Sequence, residues 1–268
     1  MKDKEQLHRE YLRQIRNFRL MDDDFMNACF DNNIEATELL VRIILDRPDL
    51  RLKSVNTQKV MKNLQGRDIR LDIDAIDGDD NEIDIEIQRS DRGAGRKRAR
   101  YHSSILDAHL LNHSDEFQDL PETYVIFITE HDVIGGSLPT YTVDRTITEL
   151  AEPFCDGQHI IYVNGSYKDN STEIGKLMHD FSCTNPDDMY FKLLADKARY
   201  FKEDEEGVTS MCKAMEDMRN EAAAEAKRQQ VVESVRRWLE MGLSYEQIAK
   251  GEGLTVEQVK EIDGQRSA

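Results

Sequence analysis

Between Arg67 and Gln88 the chain runs through two short stretches in which apolar and charged residues alternate, separated by Asp77-Gly78-Asp79-Asp80-Asn81. Ile69, Leu71, Ile73 and Ala75 alternate with Arg70, Asp72 and Asp74, and Ile83, Ile85 and Ile87 alternate with Asp84, Glu86 and Gln88. A period of two around a turn-rich segment predicts a β-hairpin with one buried face. Matching apolar face to apolar face fixes the register: Asp72 opposes Glu86, Asp74 opposes Asp84 and Arg70 opposes Gln88. Elsewhere the pattern predicts a helix over Asp31 to Leu45, with Leu39, Leu40, Ile43 and Ile44 as its apolar stripe ahead of Pro48. It predicts a first strand over Ser54 to Leu64, an amphipathic helix from Arg96 to Asn112, and a strand buried on both faces over Tyr124 to Thr129. Another strand over His159 to Val163 runs into an Asn164-Gly165 turn. The residues ahead of the first helix read as a polar, charged arm. Beyond residue 170 the spacing turns helical, first through Ile174, Leu177 and Phe181 and then through Phe191, Leu194, Ala198 and Phe201. A long polar helix over Val208 to Glu240 follows, with few large apolar residues to bury. Ser244 with Gln247, and Thr255 with Gln258, have the form of capping boxes that open two short helices.

The hairpin register carries chemistry. Opposed side chains on paired strands have Cβ atoms only about 4.5–5.5 Å apart, where like charges repel. A face holding Asp72, Asp74, Asp84 and Glu86 therefore calls for a bound cation or for protonated carboxylates, unless it is a solvated outer face. Hard oxygen donors of this kind suit Mg²⁺, Mn²⁺ or Ca²⁺. The next segment reverses the sign of charge: Arg89, Arg92, Arg96, Lys97, Arg98 and Arg100 face a single acid, Asp91. Cations at the start of a helix oppose its dipole, so the cluster has no evident stabilising purpose in its own helix. Phosphates are natural partners for it, and so are the acids of the hairpin. Gly93 and Gly95 are loop residues rather than a dinucleotide fingerprint, because G-x-G-x-x-G is incomplete. Glu35 and Glu38 read as a solvated helix face, and Tyr101 as a half-buried helix tyrosine with a bonded hydroxyl. His109 and His113 fall one turn apart, but without further ligands that spacing does not specify a metal site. No metal role attaches to His102 or His131 either.

Composition narrows the setting. A formal net charge of −17 argues against a wholly electrostatic nucleic-acid binder, so any DNA contact has to be a local patch. Cys29, Cys155, Cys183 and Cys212 are far apart in sequence and read as reduced thiols rather than a zinc or disulfide framework. No apolar run approaches the ~18 residues of a membrane span, and the first residues lack a signal-type apolar core, which together predict a cytoplasmic protein without membrane contact.

In their order along the chain, several of these segments resemble one known group. LMDDDFMNACF at residues 20–30, RLDI at 70–73, IEIQR at 85–89, KRARYHSSILDAHLL at 97–111, YVIFIT at 124–129 and LPTYTV at 138–143 are similar to the Rpn recombination-promoting nucleases, a transposase-associated branch of the PD-(D/E)XK superfamily. The resemblance covers roughly residues 18–165. It implies an α/β restriction-endonuclease-like core, a mixed central sheet flanked by helices, to which the all-helical C-terminal extension is added. It also implies a divalent-metal-dependent DNA endonuclease, with Mg²⁺ or else Mn²⁺ or Ca²⁺ as the ion. Asp72 and Glu86 would hold the metal with the carbonyl of Ile87, and Gln88 would stand where the superfamily usually has lysine. Glutamine can orient a water but cannot take up a proton or offer positive charge. Arg96, Lys97, Arg98 and Arg100 are the DNA-binding candidates, with Arg98 and Arg100 the nearest in sequence for phosphate stabilisation. Asp74 and Asp84 are left as either supporting carboxylates or a second-metal pair.

Three domains are expected: a nuclease-like domain over 1–170, a helical extension and linker helix over 171–228, and a small helix-turn-helix-like module over 229–268. The last offers one lysine against two glutamates in its second helix, which favours protein contact or packing over sequence-specific DNA reading. Two functions follow: an endonuclease tied to recombination or mobile elements, and a catalytically idle DNA-binding or assembly protein on the same scaffold. A homodimer is the simplest way for one site per chain to cut both strands.

Overall fold

The computed structural model describes residues 4–63, 66–111 and 114–264. Three helices, α1 (Lys4–Asn17), α2 (Asp23–Phe30) and α3 (Ile34–Leu45), precede β1 (Leu52–Met61), β2 (Ile69–Asp77) and β3 (Glu82–Gln88). Then come α4 (Arg96–Leu110), β4 (Thr123–Thr129), the short β5 (Thr140–Val143), β6 (Thr146–Ile147) and β7 (Glu152–Pro153), and β8 (Gln158–Asn164). Helices α5 (Glu173–Ser182), α6 (Lys192–Glu203), α7 (Glu205–Glu240), α8 (Tyr245–Glu252) and α9 (Val256–Gly264) follow. Six strands form one mixed sheet in the order β1-β2-β3-β4-β8-β5, and β6 pairs with β7 separately. The pairs β3–β4 and β4–β8 are parallel, and the others are antiparallel. This is the mixed α/β sheet with flanking helices that the sequence led us to expect, with a helical C-terminal region.

The β3–β4 pair is parallel, so the chain must cross over between the two strands, and α4 is that crossover. Its Ala99, Ile105 and Leu106 pack with Leu71 of β2, Val125 and Phe127 of β4 and Tyr162 of β8. The hairpin therefore differs from the predicted one in an important respect. Instead of one buried and one solvated face, β3 is buried along both faces from Glu82 to Ile87, because α4 covers the side that carries the acids. From Ile73 to Ile76 the register is as read, with Ile73↔Ile85, Asp74↔Asp84 and Ala75↔Ile83 as direct partners, but the ladder ends at Ile73, so Asp72 with Glu86 and Arg70 with Gln88 are not ladder pairs.

Other differences have simple causes. The expected polar arm is the amphipathic helix α1, whose Tyr11 and Ile15 are buried. Helix α3 begins at Ile34 rather than Asp31, because the Asn33 side chain accepts the Ala36 N–H and caps it. Glu38 is not a solvated residue: it pairs with Arg42 and Arg51 and accepts the Leu52 N–H at 2.9 Å, tying α3 to the start of β1. The first strand spans Leu52–Met61, and Leu64 lies outside the described residues, as do Asn112, the end of the predicted basic helix, and His113 of the His109–His113 spacing. All four cysteines are free. Among the described residues no helix is long and apolar enough to cross a membrane.

The chain divides into two compact units, one ending at Cys212 and the other starting at Lys213. In the second, Val235, Ile248, Ala249 and Val259 form a small core. Both capping boxes are present: Ser244 Oγ accepts the Gln247 N–H while Gln247 Oε1 accepts the Ser244 N–H, and Thr255 and Gln258 repeat the exchange. The seating of α4 on the sheet is the packing on which the site depends. Replacing the fully buried Leu106 by alanine is expected to lower the unfolding free energy by about 2–5 kcal/mol, read from urea denaturation.

Candidate active site at the divergence of two strands

β2 and β3 part company at Asp72. Residues from Ile73 to Ile76 are paired with β3, whereas Ile69 to Leu71 are paired with β1 alone. β3 meanwhile stays in register with β4 as far as Gln88↔Thr129. At the point of divergence two side chains replace the backbone ladder: Asp72 Oδ2 accepts the Ile87 N–H at 2.9 Å, and Glu86 Oε1 accepts the Asp72 N–H at 3.2 Å. The side-chain alternation along β2 slips at the same place. Ile69 and Leu71 belong to the cluster under α4, yet Asp74 shares a face with Asp84, which contacts His102 of α4. Opposite Asp72, between the pairs Thr57↔Ile73 and Lys59↔Leu71, Gln58 has a left-handed backbone (φ 56°), and the register is the same on both sides of it.

The parted strands open a cleft of about 2100 Å³. Of the residues the sequence singled out, Asp72, Ile87, Gln88, Lys97 and Arg98 line it. Glu86 lies fully buried behind Arg98, whose Nη2 donates to Glu86 Oε2 at 2.5 Å and whose Nη1 reaches Gln88 Oε1 at 3.3 Å and the Gly93 carbonyl at 3.0 Å. Arg96 and Arg100 are exposed on α4 and are not brought into the cleft wall. Arg89 is exposed too, but it is held by Asp22 and Glu130. Tyr101 has the expected bonded hydroxyl, which donates to the Arg67 carbonyl and accepts from Asn63. Asp22, Asp23 and Asp24, at the start of α2, give the same cleft an acidic portion.

Asp74, Asp84 and Glu86 are all fully buried, so their charges must be met locally. Lys59 of β1 meets Asp74 at 2.8 Å and Glu82 at 3.0 Å, His102 Nδ1 lies 3.0 Å from Asp84, and Arg98 covers Glu86. That compensation is incomplete. Burial, reinforced by Asp84 and Asp72, pushes the Glu86 carboxyl up to about 8. Asp84 rises well above the ordinary carboxylate range through burial and its acidic neighbours, and Glu82 rises to about 7 through burial and Asp74. Burial also raises Asp72, while it lowers His102. One oxygen each of Asp74 and Asp84 is buried without a hydrogen-bond partner. Ligand atoms of Asp84, Glu86 and His102 all lie within 4.8 Å of one another.

Lys59 and His102 were not found from sequence. For His102 the signal was present, since it stands four residues after Arg98 and so shares its helix face. Lys59 carried no local signal, because only the β1–β2 pairing brings it to the acids. A family model described as PD-(D/E)XK nuclease family transposase matches residues 32–240 of the chain. No curated protein and no solved structure matches it.

The raised carboxyls fix a pH dependence. Glu86 titrates near 4.5 when unfolded and at about 8 when folded, so the folded protein holds the extra proton between those values. The stability linked to that proton is fully present below pH 4.5 and is lost as pH rises through about 8. In the presence of a chelator, Glu86→Gln should therefore become progressively more stable relative to wild type from pH 5 to 9. A difference that stays flat over that range in urea titrations would contradict the assignment.

Proposed function

The chain belongs to the PD-(D/E)XK nuclease family transposases, and on that premise we propose that it is a divalent-metal-dependent DNA endonuclease acting in recombination or element mobility. The observation that carries this reading is the exchange between Asp72 and Glu86 at the end of the β2–β3 ladder, beside a cleft that also contains Gln88 and Arg98. Asp72, Glu86 and the carbonyl of Ile87 are the residues that would hold the ion. A strand residue directs its N–H and C=O toward the same neighbour. The Ile87 N–H is bonded to Asp72, so its carbonyl faces the gap left by β2. Buried carboxylates with raised pKa values and unpartnered oxygens at Asp74 and Asp84 fit a site that gains a cation. Mg²⁺ or Mn²⁺ suits its oxygen donors. Such an ion, when bound, supplies a water of lowered pKa and positive charge for the phosphate.

The chain's own residues supply the rest. Gln88 can orient the attacking water but brings no charge. The missing lysine's charge is available from Arg98, which reaches Gln88 from α4. Lys97 lines the cleft and is exposed for phosphate contact, and Arg96 and Arg100 extend the basic surface along the same helix. One observation favours the idle-scaffold reading instead: Arg98 already occupies an oxygen of Glu86 without a metal.

Plasmid cleavage separates the two. With Mg²⁺ or Mn²⁺ the wild type is expected to nick or linearise DNA, and Asp72→Ala and Glu86→Ala to abolish the metal-stimulated rate. A wild type that cuts no faster than both variants would leave the chain as a DNA-binding or assembly protein.

A further inference from the structure

His102 makes two polar contacts whose directions can be worked out. Its Nε2 lies 3.2 Å from Arg98 Nε, and its Nδ1 lies 3.0 Å from Asp84 Oδ2. An arginine Nε always carries its hydrogen and cannot accept one. His102 Nε2 must therefore be the acceptor, and the ring's single hydrogen must sit on Nδ1, donating to Asp84. A doubly protonated ring would set an N–H against an N–H at Arg98. The ring is therefore neutral and held in one tautomer, and Asp84, fully buried behind it, fixes that choice.

The same assignment bears on the close grouping of Asp84, Glu86 and His102. A cation bound to His102 Nδ1 would displace the hydrogen on which the Asp84 contact depends. It would also leave Nε2 as a donor facing Arg98 Nε. The trio is accordingly read as a hydrogen-bond relay and not as an additional metal site. Arg98 is held through every nitrogen of its guanidinium: Nε by His102, Nη2 by Glu86, and Nη1 by Gln88 and the Gly93 carbonyl. Phe127 lies beneath it, 5.9 Å from ring centroid to Cζ, and also packs edge-on against His102.

We propose that His102, oriented by Asp84, is a positioning residue that holds the Arg98 guanidinium over Glu86 and Gln88, where it takes the place of the lysine absent at position 88. The catalytic half of this inference rests on the nuclease reading above, whereas the relay itself does not. Arginine carries its guanidinium at the end of a long flexible side chain, and a group misplaced by about 1 Å can cost on the order of 10²-fold in rate. A rigid acceptor at Nε sets the plane of the fork, which an ion pair to Glu86 alone leaves free to rotate.

Two measurements on the full chain test this. In cleavage assays, His102→Phe keeps a ring against Phe127 but removes both nitrogens, and kcat should fall by about ten- to a hundredfold with little change in KM for DNA. His102→Gln, which again offers an acceptor and a donor, should recover much of the loss. In an Arg98→Ala background His102→Phe should change kcat by less than about twofold, because its effect is transmitted through the missing guanidinium. A loss in that background as large as in wild type would overturn the positioning role. Independently of activity, ¹⁵N spectra of the histidine-labelled, metal-free protein should show His102 protonated on Nδ1 and bare on Nε2. The Arg98 Nε–H signal should shift in His102→Phe. An Nε2–H tautomer would overturn the relay. A wild type that does not cut removes the nuclease reading and with it the catalytic role of Arg98, while the nitrogen spectrum still decides the relay.

Discussion

The constraint that shapes this protein is a row of acids on a strand that is buried on both sides. Glu82, Asp84 and Glu86 follow one another on one face of β3, and Asp74 stands opposite Asp84 on β2. Burying such groups costs several kcal/mol per unpaired charge, so two elements beside this face carry groups that offset it. β1 contributes Lys59, and the crossover helix contributes Arg98 and His102. This accounts for Arg98 in the first turn of α4, where a cation opposes the helix's own dipole. Arg98 is placed by the acids it covers rather than by the helix it belongs to. The residual mismatch appears as carboxyls that hold protons well above their ordinary range.

The second determinant is the point where the β2–β3 ladder stops. A backbone pair gives way there to Asp72 and Glu86, each accepting an N–H from the opposite strand. The strands can then separate without leaving buried donors unsatisfied. The carboxylates therefore have a structural task as well as a chemical one. They end the ladder, and the cleft begins where it ends. Gln58, the β1 residue opposite Asp72, leaves the extended conformation at the same point, so the irregularity lies on both strands.

Much of this was legible before any coordinates. The two-residue period and the match of apolar faces determined the hairpin register, and with it the opposition of Asp74 and Asp84. The ordered motifs pointed to the mixed sheet and its crossover helix. Alternation could not reveal that β3 is covered twice. A strand with an acidic face reads as half-solvated unless one knows that a helix bearing Arg98 and His102 lies on it. Nor could it show that Glu86 is closed off behind Arg98 while Asp72 faces the cleft, because both occupy equivalent places in the periodic pattern. The N-terminal helix was missed because its buried positions, Tyr11 and Ile15, are sparse among charged residues. Lys59 was missed because its significance exists only across β1 and β2.

The distribution of charge follows from the same arrangement. At a formal net charge of −17 the chain as a whole repels a polyanion, and the field it presents at a distance is unfavourable to DNA. On the proposed nuclease reading, attraction would have to arise at short range, within roughly a Debye length of about 8–10 Å. The cations in the cleft wall differ in their availability. Arg19 is committed to Asp22 and Glu130, and Arg98 is committed to Glu86, whereas Lys97 is exposed. The acids at the start of α2 border the same space. A backbone entering the cleft would meet positive charge from α4 and negative charge from α2, which favours one side of the cleft for phosphates. That side adjoins Gln88 and Arg98, so on the proposed reading the asymmetry that would keep a phosphate away from α2 would also direct it toward the end of β3, where Asp72 and Ile87 reach the cleft.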